Sequence, residues 1–133
     1  MLEFCSNDAA GKLVLRLTVG VLMLFHGVSK LGGGSLDFIS AQLAGIGLPG
    51  ALAWGVYVGE IVAPLMLVLG VYARLGALLA VVNMLFAIGL VHMGDLFALT
   101  DHGGYRLELQ MFYLFGALAV LLLGSGRYAV RPD

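Results

Sequence analysis

Four long apolar stretches divide the chain, at residues 13–31, 51–71, 75–92 and 107–123. Each approaches the roughly 20 residues that carry a helix across about 30 Å of hydrocarbon at about 1.5 Å per residue. None alternates polar with apolar positions, as a barrel strand would. In lipid a spanning backbone must satisfy its own hydrogen bonds, so these stretches predict helices. The connections are uneven. The second is a tight turn around Val71–Arg74. The first is longer and opens with the breaker Gly32-Gly33-Gly34. Leu36, Ile39 and Leu43 then recur at helical spacing. That spacing predicts a short amphipathic helix over about 36–45, lying on the outer surface. Leu48-Pro49-Gly50 closes the connection, and Pro49 suits the start of the second span. The predicted fold class is an all-α membrane protein: a four-transmembrane-helix bundle with a short amphipathic helix in its first outer loop, as a single domain over 1–133.

Composition agrees. Of the 133 residues 61% are hydrophobic and 11% charged, and mean hydropathy is +1.02. Soluble domains carry about 45–50% apolar and about 25% charged residues, and a small one leaves much of its surface in water. An ordinary soluble domain and a disordered chain are excluded. Seven Lys and Arg stand against eight Asp and Glu, a net charge of −1, so no basic field points to nucleic acid. Lys12, Arg16, Arg74, Arg127 and Arg131 fall on one side of a four-span arrangement, and Lys30 and Arg106 on the other. This bias predicts that both termini face the cytoplasm. Glu3 and Asp8 precede the first apolar run and no small-residue cleavage site follows it, so it reads as a span rather than a cleaved leader. The single cysteine, Cys5, permits no intramolecular disulfide and reads as an incidental tail residue.

Ionisable groups inside a span cost about 2.5–3.5 kcal/mol on insertion scales and tend to mark function. Glu60 is the clearest, about 14 Å below the outer end of the second span by helix rise. It must face the bundle interior, be neutral or be paired. Tyr57 is one turn before it. Pro64, four residues on, cannot donate to its carbonyl, which weakens the helix there. On the first span His26 and Lys30 are four apart and share a face. Lys30 has the plainer role of reaching to the headgroups, and Gly20 and Gly27 near that face suit close helix packing. Asn83 at the centre of the third span reads as interhelical glue, and His92 at its outer end as a vestibule or headgroup residue. Tyr105 and Arg106 fit an interface anchor before the fourth span. Glu108 lies about one turn inside it, and Gln110 diverges from Glu108. Phe112 and Phe115 share the Glu108 face and read as core or lipid-facing aromatics before a ligand wall. Gly55 and Gly59 form a small-residue pair beside Glu60. His26, Lys30, Glu60, His92 and Glu108 all belong to the outer half. One outward-opening polar pocket lined by the four helices is the economical arrangement.

These residues also fall into an ordered set. Arg16-Leu17-x-x-Gly20 leads to His26-Gly27-x-x-Lys30-Leu31, and Glu60 is followed by Leu69-Gly70-x-x-x-Arg74-Leu75-Gly76. Tyr105 and Glu108 precede Leu123-Gly124-Ser125-Gly126-Arg127-Tyr128. Over nearly the whole chain the set resembles the DoxX family of small four-helix membrane proteins. Ser125 stands where that family commonly has proline, and Arg106-Leu107 separate Tyr105 from Glu108. The resemblance implies a bacterial cytoplasmic (inner) membrane location. It also implies a link to membrane oxidoreductase systems, including a subunit of thiosulfate:quinone oxidoreductase and complexes handling sulfur or oxidative stress.

Two readings follow. In the first the protein is the membrane subunit of a redox system and binds a quinone in the outer pocket. Glu60 and His26 are then the candidate catalytic residues that supply protons, and Lys30, Tyr57, Glu108 and His92 line the quinone site. No CxxC and no dinucleotide fingerprint supplies electrons, so a soluble oxidoreductase or sulfurtransferase partner is implied. In the second it is a transporter or scaffold without redox chemistry of its own, with Glu60 as a proton site in an interrupted helix and a homo-oligomer completing the pathway. A haem or metal is not expected, since His26, His92, His102, Glu60 and Glu108 occur at no recognised ligand spacing.

Overall fold

The structure is a computed structural model that describes residues 6–29, 35–55, 58–91 and 93–133. Helix α1 runs Asp8–Ser29. It starts five residues before the apolar run because Asn7 caps it, its side-chain oxygen accepting from Ala10 N at 3.0 Å. Lys12 pairs with Asp8 one turn earlier at 2.7 Å. Helix α2, Ser35–Gly45, is the short helix expected between the first two spans. Its Leu43 is buried, and Ser40 Oγ donates to Gly50 O at 3.2 Å, tying α2 to the next element.

The second apolar run is not one continuous α-helix. It is a 3₁₀ turn at Gly50–Trp54, a single π turn at Val58–Val62 and helix α3 at Ala63–Leu69. Pro64 supplies the physical reason, because it removes the N–H that would close an α turn on Glu60. Helix α3 ends at Gly70, whose φ of 73° is left-handed, and Gly70 N and Val71 N both donate to Met66 O. Helix α4 covers Ala73–Val91 and helix α5 covers Glu108–Leu123. Among the described residues there is no strand, only isolated bridges at Val71–Arg131 and Leu99–Tyr105.

Three segments are long and apolar enough to cross a membrane: α1, Gly50–Leu69 and Ala73–Leu90. Helix α5 is apolar but has 16 residues, so its helix is about 24 Å long. It packs along α1 and most extensively along α4. Small side chains make the approach possible: Ala77 and Ala80 of α4 and Ala117 of α5 are fully buried beside Val19, Met23 and Val120.

One arginine organises the end of the bundle that carries residues 6–16 and 124–133. Arg16 is only 1% exposed. Its Nη1 donates to Leu67 O at 2.8 Å and Val68 O at 3.3 Å, and its Nη2 donates to Tyr128 O. It thereby satisfies carbonyls that the end of α3 leaves without partners. The tail continues the clasp, with Val130 N donating to Leu69 O and Arg131 N to Gly70 O, each at 3.0 Å. Asp133 accepts from Arg74 N at the start of α4 and from Ser125 N. From sequence Arg16 counts among the positive charges of one side of the bundle; in the fold it is a buried tie between two helices and the tail.

Candidate functional site

Glu60 occupies the middle of the π turn. Two glycines and an asparagine fix it there. Gly27 of α1 lies so close that a Cβ would come within 1.9 Å of Glu60 O. The carbonyl to which Pro64 cannot donate is therefore approached closely by bare α1 backbone. Gly59 faces Asn83 of α4 in the same way, with a Cβ position 2.3 Å from Asn83 Cβ. Asn83 Nδ2 donates to Glu60 Oε1 at 3.3 Å. The carboxyl is 4% exposed and oriented between α1, α4 and α5. The sequence reading that Glu60 faces inward or pairs, and that Asn83 bridges helices, agrees with this arrangement.

A pocket of about 240 Å³ opens on this carboxyl. Helix α1 contributes Met23 and His26, α4 contributes Met84 and Ala87, and α5 contributes Leu109, Gln110 and Tyr113. His26 stands exposed at the rim. Its ring meets Tyr113 edge-on, with centroids 5.5 Å apart and planes at 83°. Tyr113 is 7% exposed, so its phenol belongs to the interior. The lining thus combines a carboxyl, an imidazole, an amide and a phenol with the apolar side chains of Met23, Met84 and Leu109. Such a lining suits a small ring with polar substituents.

A pocket is present, and its membership differs from the one expected. It brings together His26 and Glu60. Lys30, Tyr57 and His92, also expected there, lie outside the described residues. Glu108 is a correction. It lines a separate groove between α1 and α5, and its oxygens lie beside Gly104 rather than toward Glu60. The physical reason is helix phase. Gln110 and Tyr113 are three apart and share a face, and that face looks inward, while Glu108 is turned about 160° from Gln110. Gln110 and Tyr113 are the residues that reading charge alone missed, although their spacing was a usable signal. Phe112 and Phe115 are 76% and 61% exposed, which makes them lipid-facing. Gly59 packs against Asn83, whereas Gly55 has open space around it. His102 is exposed at the tip of a turn in which Thr100 N donates to Gly104 O at 2.7 Å. Arg106 meets Asp95 at 3.7 Å, and the Tyr105 hydroxyl donates to Leu96 O, so both anchor the loop between α4 and α5. Among the described residues no three His, Cys, Asp or Glu side chains group as metal ligands.

A helical fold with three membrane-length apolar segments and a buried carboxyl facing an interhelical pocket defines a small integral membrane protein with an intramembrane polar site. Comparison makes the assignment specific. The DoxX family model matches residues 11–93, and the chain belongs to the DoxX family. An uncharacterized protein of Haemophilus influenzae is 31% identical over 122 residues, which cover 87% of this chain and 84% of that relative. No solved structure gives a significant match. The matched region holds Arg16, Gly27, Glu60 and Asn83, and so contains three of the four sides of the site.

Proposed function

We propose that this DoxX protein is the membrane subunit of a redox system and that its Glu60 pocket takes the ring of a quinone. The observation that carries the reading is the convergence of buried Glu60 with His26, Gln110 and Tyr113 on one interhelical cavity. The residues fit the group. Glu60, His26, Gln110 and Tyr113 offer polar hydrogens and acceptors to the ring oxygens, and Met23, Met84 and Leu109 offer thioether and aliphatic surface to the ring faces. A bound quinone supplies two-electron, two-proton chemistry. Glu60 and His26 hold exchangeable protons at the pocket, with Asn83 fixing the orientation of the carboxyl. Gln110 and Tyr113 position by hydrogen bonding. Electrons come from a partner, a soluble oxidoreductase or a sulfurtransferase, because the chain carries no redox-active cysteine pair or nucleotide fingerprint.

In this reading α5 is the fourth span, both termini face the cytoplasm, and the membrane is the bacterial inner membrane. The short α5 suits a locally thinned bilayer, or flanking residues that reach to the headgroups. One observation favours the transporter reading instead: the interruption of the second span at Glu60, a feature that transporters place at binding sites.

The test is made on protein purified in mild detergent. Organic extraction and mass spectrometry are expected to return stoichiometric quinone from the wild type and little from Glu60→Gln or His26→Ala. An empty wild-type extract, with proton-gradient-driven uptake by proteoliposomes, overturns the redox reading in favour of transport.

A further inference from the structure

The Glu60 pocket shares a wall with a larger cavity. Leu109 and Tyr113 line both. The second cavity is a groove of about 650 Å³ on the outer face of the α1–α5 contact. Its α1 side is the stripe Leu15, Thr18, Leu22, one turn short of His26 in the same phase. Its floor lies at a close approach of α1 and α5, since a Cβ on Gly116 would lie 2.8 Å from Val19 Cγ2. Apart from Tyr105 and Glu108 at its outer end, the groove presents almost nothing polar. Thr18 spends its hydroxyl on Val14 O at 2.7 Å.

We infer that the ligand of this protein is a head-and-tail amphiphile: the ring sits at Glu60, and a single apolar chain leaves past Leu109 and Tyr113 to lie in the α1–α5 groove. The inference rests on the quinone-ring reading of the pocket and adds the lipophilic class of the molecule. Register gives the direction of the tail. The pocket uses positions 23 and 26 of α1 and 109 to 113 of α5, whereas the groove continues to 15 on α1 and 116 on α5. The tail therefore runs from the outer half toward the bilayer centre, where a membrane quinone's chain already resides. A tail passing from lipid to the groove exchanges one apolar medium for another and gains little free energy. The groove admits the tail rather than grips it. Filling the groove therefore has a specific signature, a clash for tailed ligands only.

The experiment compares a decyl-substituted benzoquinone with its tail-less parent, bound to the full-length protein in detergent. Thr18→Trp and Leu22→Trp fill the groove at exposed positions, and Leu85→Trp is a lipid-facing control on α4, outside both cavities. Wild type and Leu85→Trp are expected to bind both compounds, and both binding events are lost in Glu60→Gln. The groove variants are expected to weaken the decyl compound at least tenfold and to leave the parent within twofold. If the groove variants bind both compounds as the wild type does, or weaken both equally, the tail assignment is overturned while the ring site stands. If the wild type binds neither compound, the quinone reading itself fails and the tail assignment falls with it.

Discussion

At the scale of single residues, the site depends as much on absent side chains as on the carboxyl. Gly27 lets α1 cover the Glu60 carbonyl, and any side chain there meets backbone, which cannot move aside as a flexible tip can. Gly27→Ala is expected to cost about 1–3 kcal/mol or more, as overpacking does. Gly89→Ala, at a helical glycine with open space around it, is expected to be neutral or slightly stabilising. Thermal denaturation in detergent separates the two, and equal melting points would remove the close-packing argument. Glu60→Gln keeps an oxygen for Asn83 Nδ2, so it is expected to fold with wild-type stability while losing ligand. This variant therefore reports on chemistry rather than packing. Glu60 itself was legible in the sequence, because an acid in mid-span has few explanations. Gln110 was marked only by its spacing from Tyr113, because an amide near a helix end carries no comparable cost.

Among elements, the decisive feature is the broken second span. Apolar length shows that residues 51–71 are long enough to cross, and Pro64 shows where the helix weakens, but only packing shows a 3₁₀ turn, a π turn and a short α-helix in series. The π turn is the point at which the backbone gives up α geometry, and it aims Glu60 at α4 and α5. The same reasoning applies to the other end of α3. Arg16 serves three carbonyls from α3 and the tail. Arg16→Ala leaves those groups without their donor, at roughly 1–3 kcal/mol for each carbonyl that stays dry. Arg16→Lys is expected to rescue little, because an ammonium lacks the planar fork that reaches two elements at once. Arg131 contributes a contact over the Tyr72 ring at 5.2 Å at the surface, and Arg131→Ala is expected to cost about 0.5–1 kcal/mol. Limited proteolysis of the tail at residues 124–133 reads the difference: rapid cleavage in Arg16→Ala and near wild-type resistance in Arg131→Ala. Resistance in both would mean that the clasp does not depend on Arg16.

For the whole molecule, the proposal specifies how the chain crosses the membrane. Cys5 is the only thiol, so it is a natural reporter of the N-terminal side. In intact cells it is expected to resist a membrane-impermeant maleimide and to react after permeabilisation. In a Cys5→Ser background, His102→Cys is expected to label from outside and Ala129→Cys only after permeabilisation. Labelling of positions 5 and 129 from opposite sides would require an odd number of spans and would overturn α5 as the fourth. The molecule is also expected to lose quinone without loss of fold when Glu60 or His26 is altered, because neither belongs to the Arg16 clasp or to the cluster around Ala77, Ala80 and Ala117.

The sequence by itself determined the class of the protein, the number and approximate bounds of its apolar segments, the short helix between the first two, and that Glu60 must face inward, be neutral or be paired. It could do so because the cost of polarity in lipid is large and is read one residue at a time. Tertiary structure alone decided which polar groups share a cavity. It turned Glu108 away and brought Gln110 and Tyr113 in, because a helix rotates about 100° per residue and its phase is set by the neighbours it packs against. It also decided that Arg16 is buried. Whether a cation meets water or carbonyls depends on where two distant stretches of chain, here α3 and the tail, come to rest beside it.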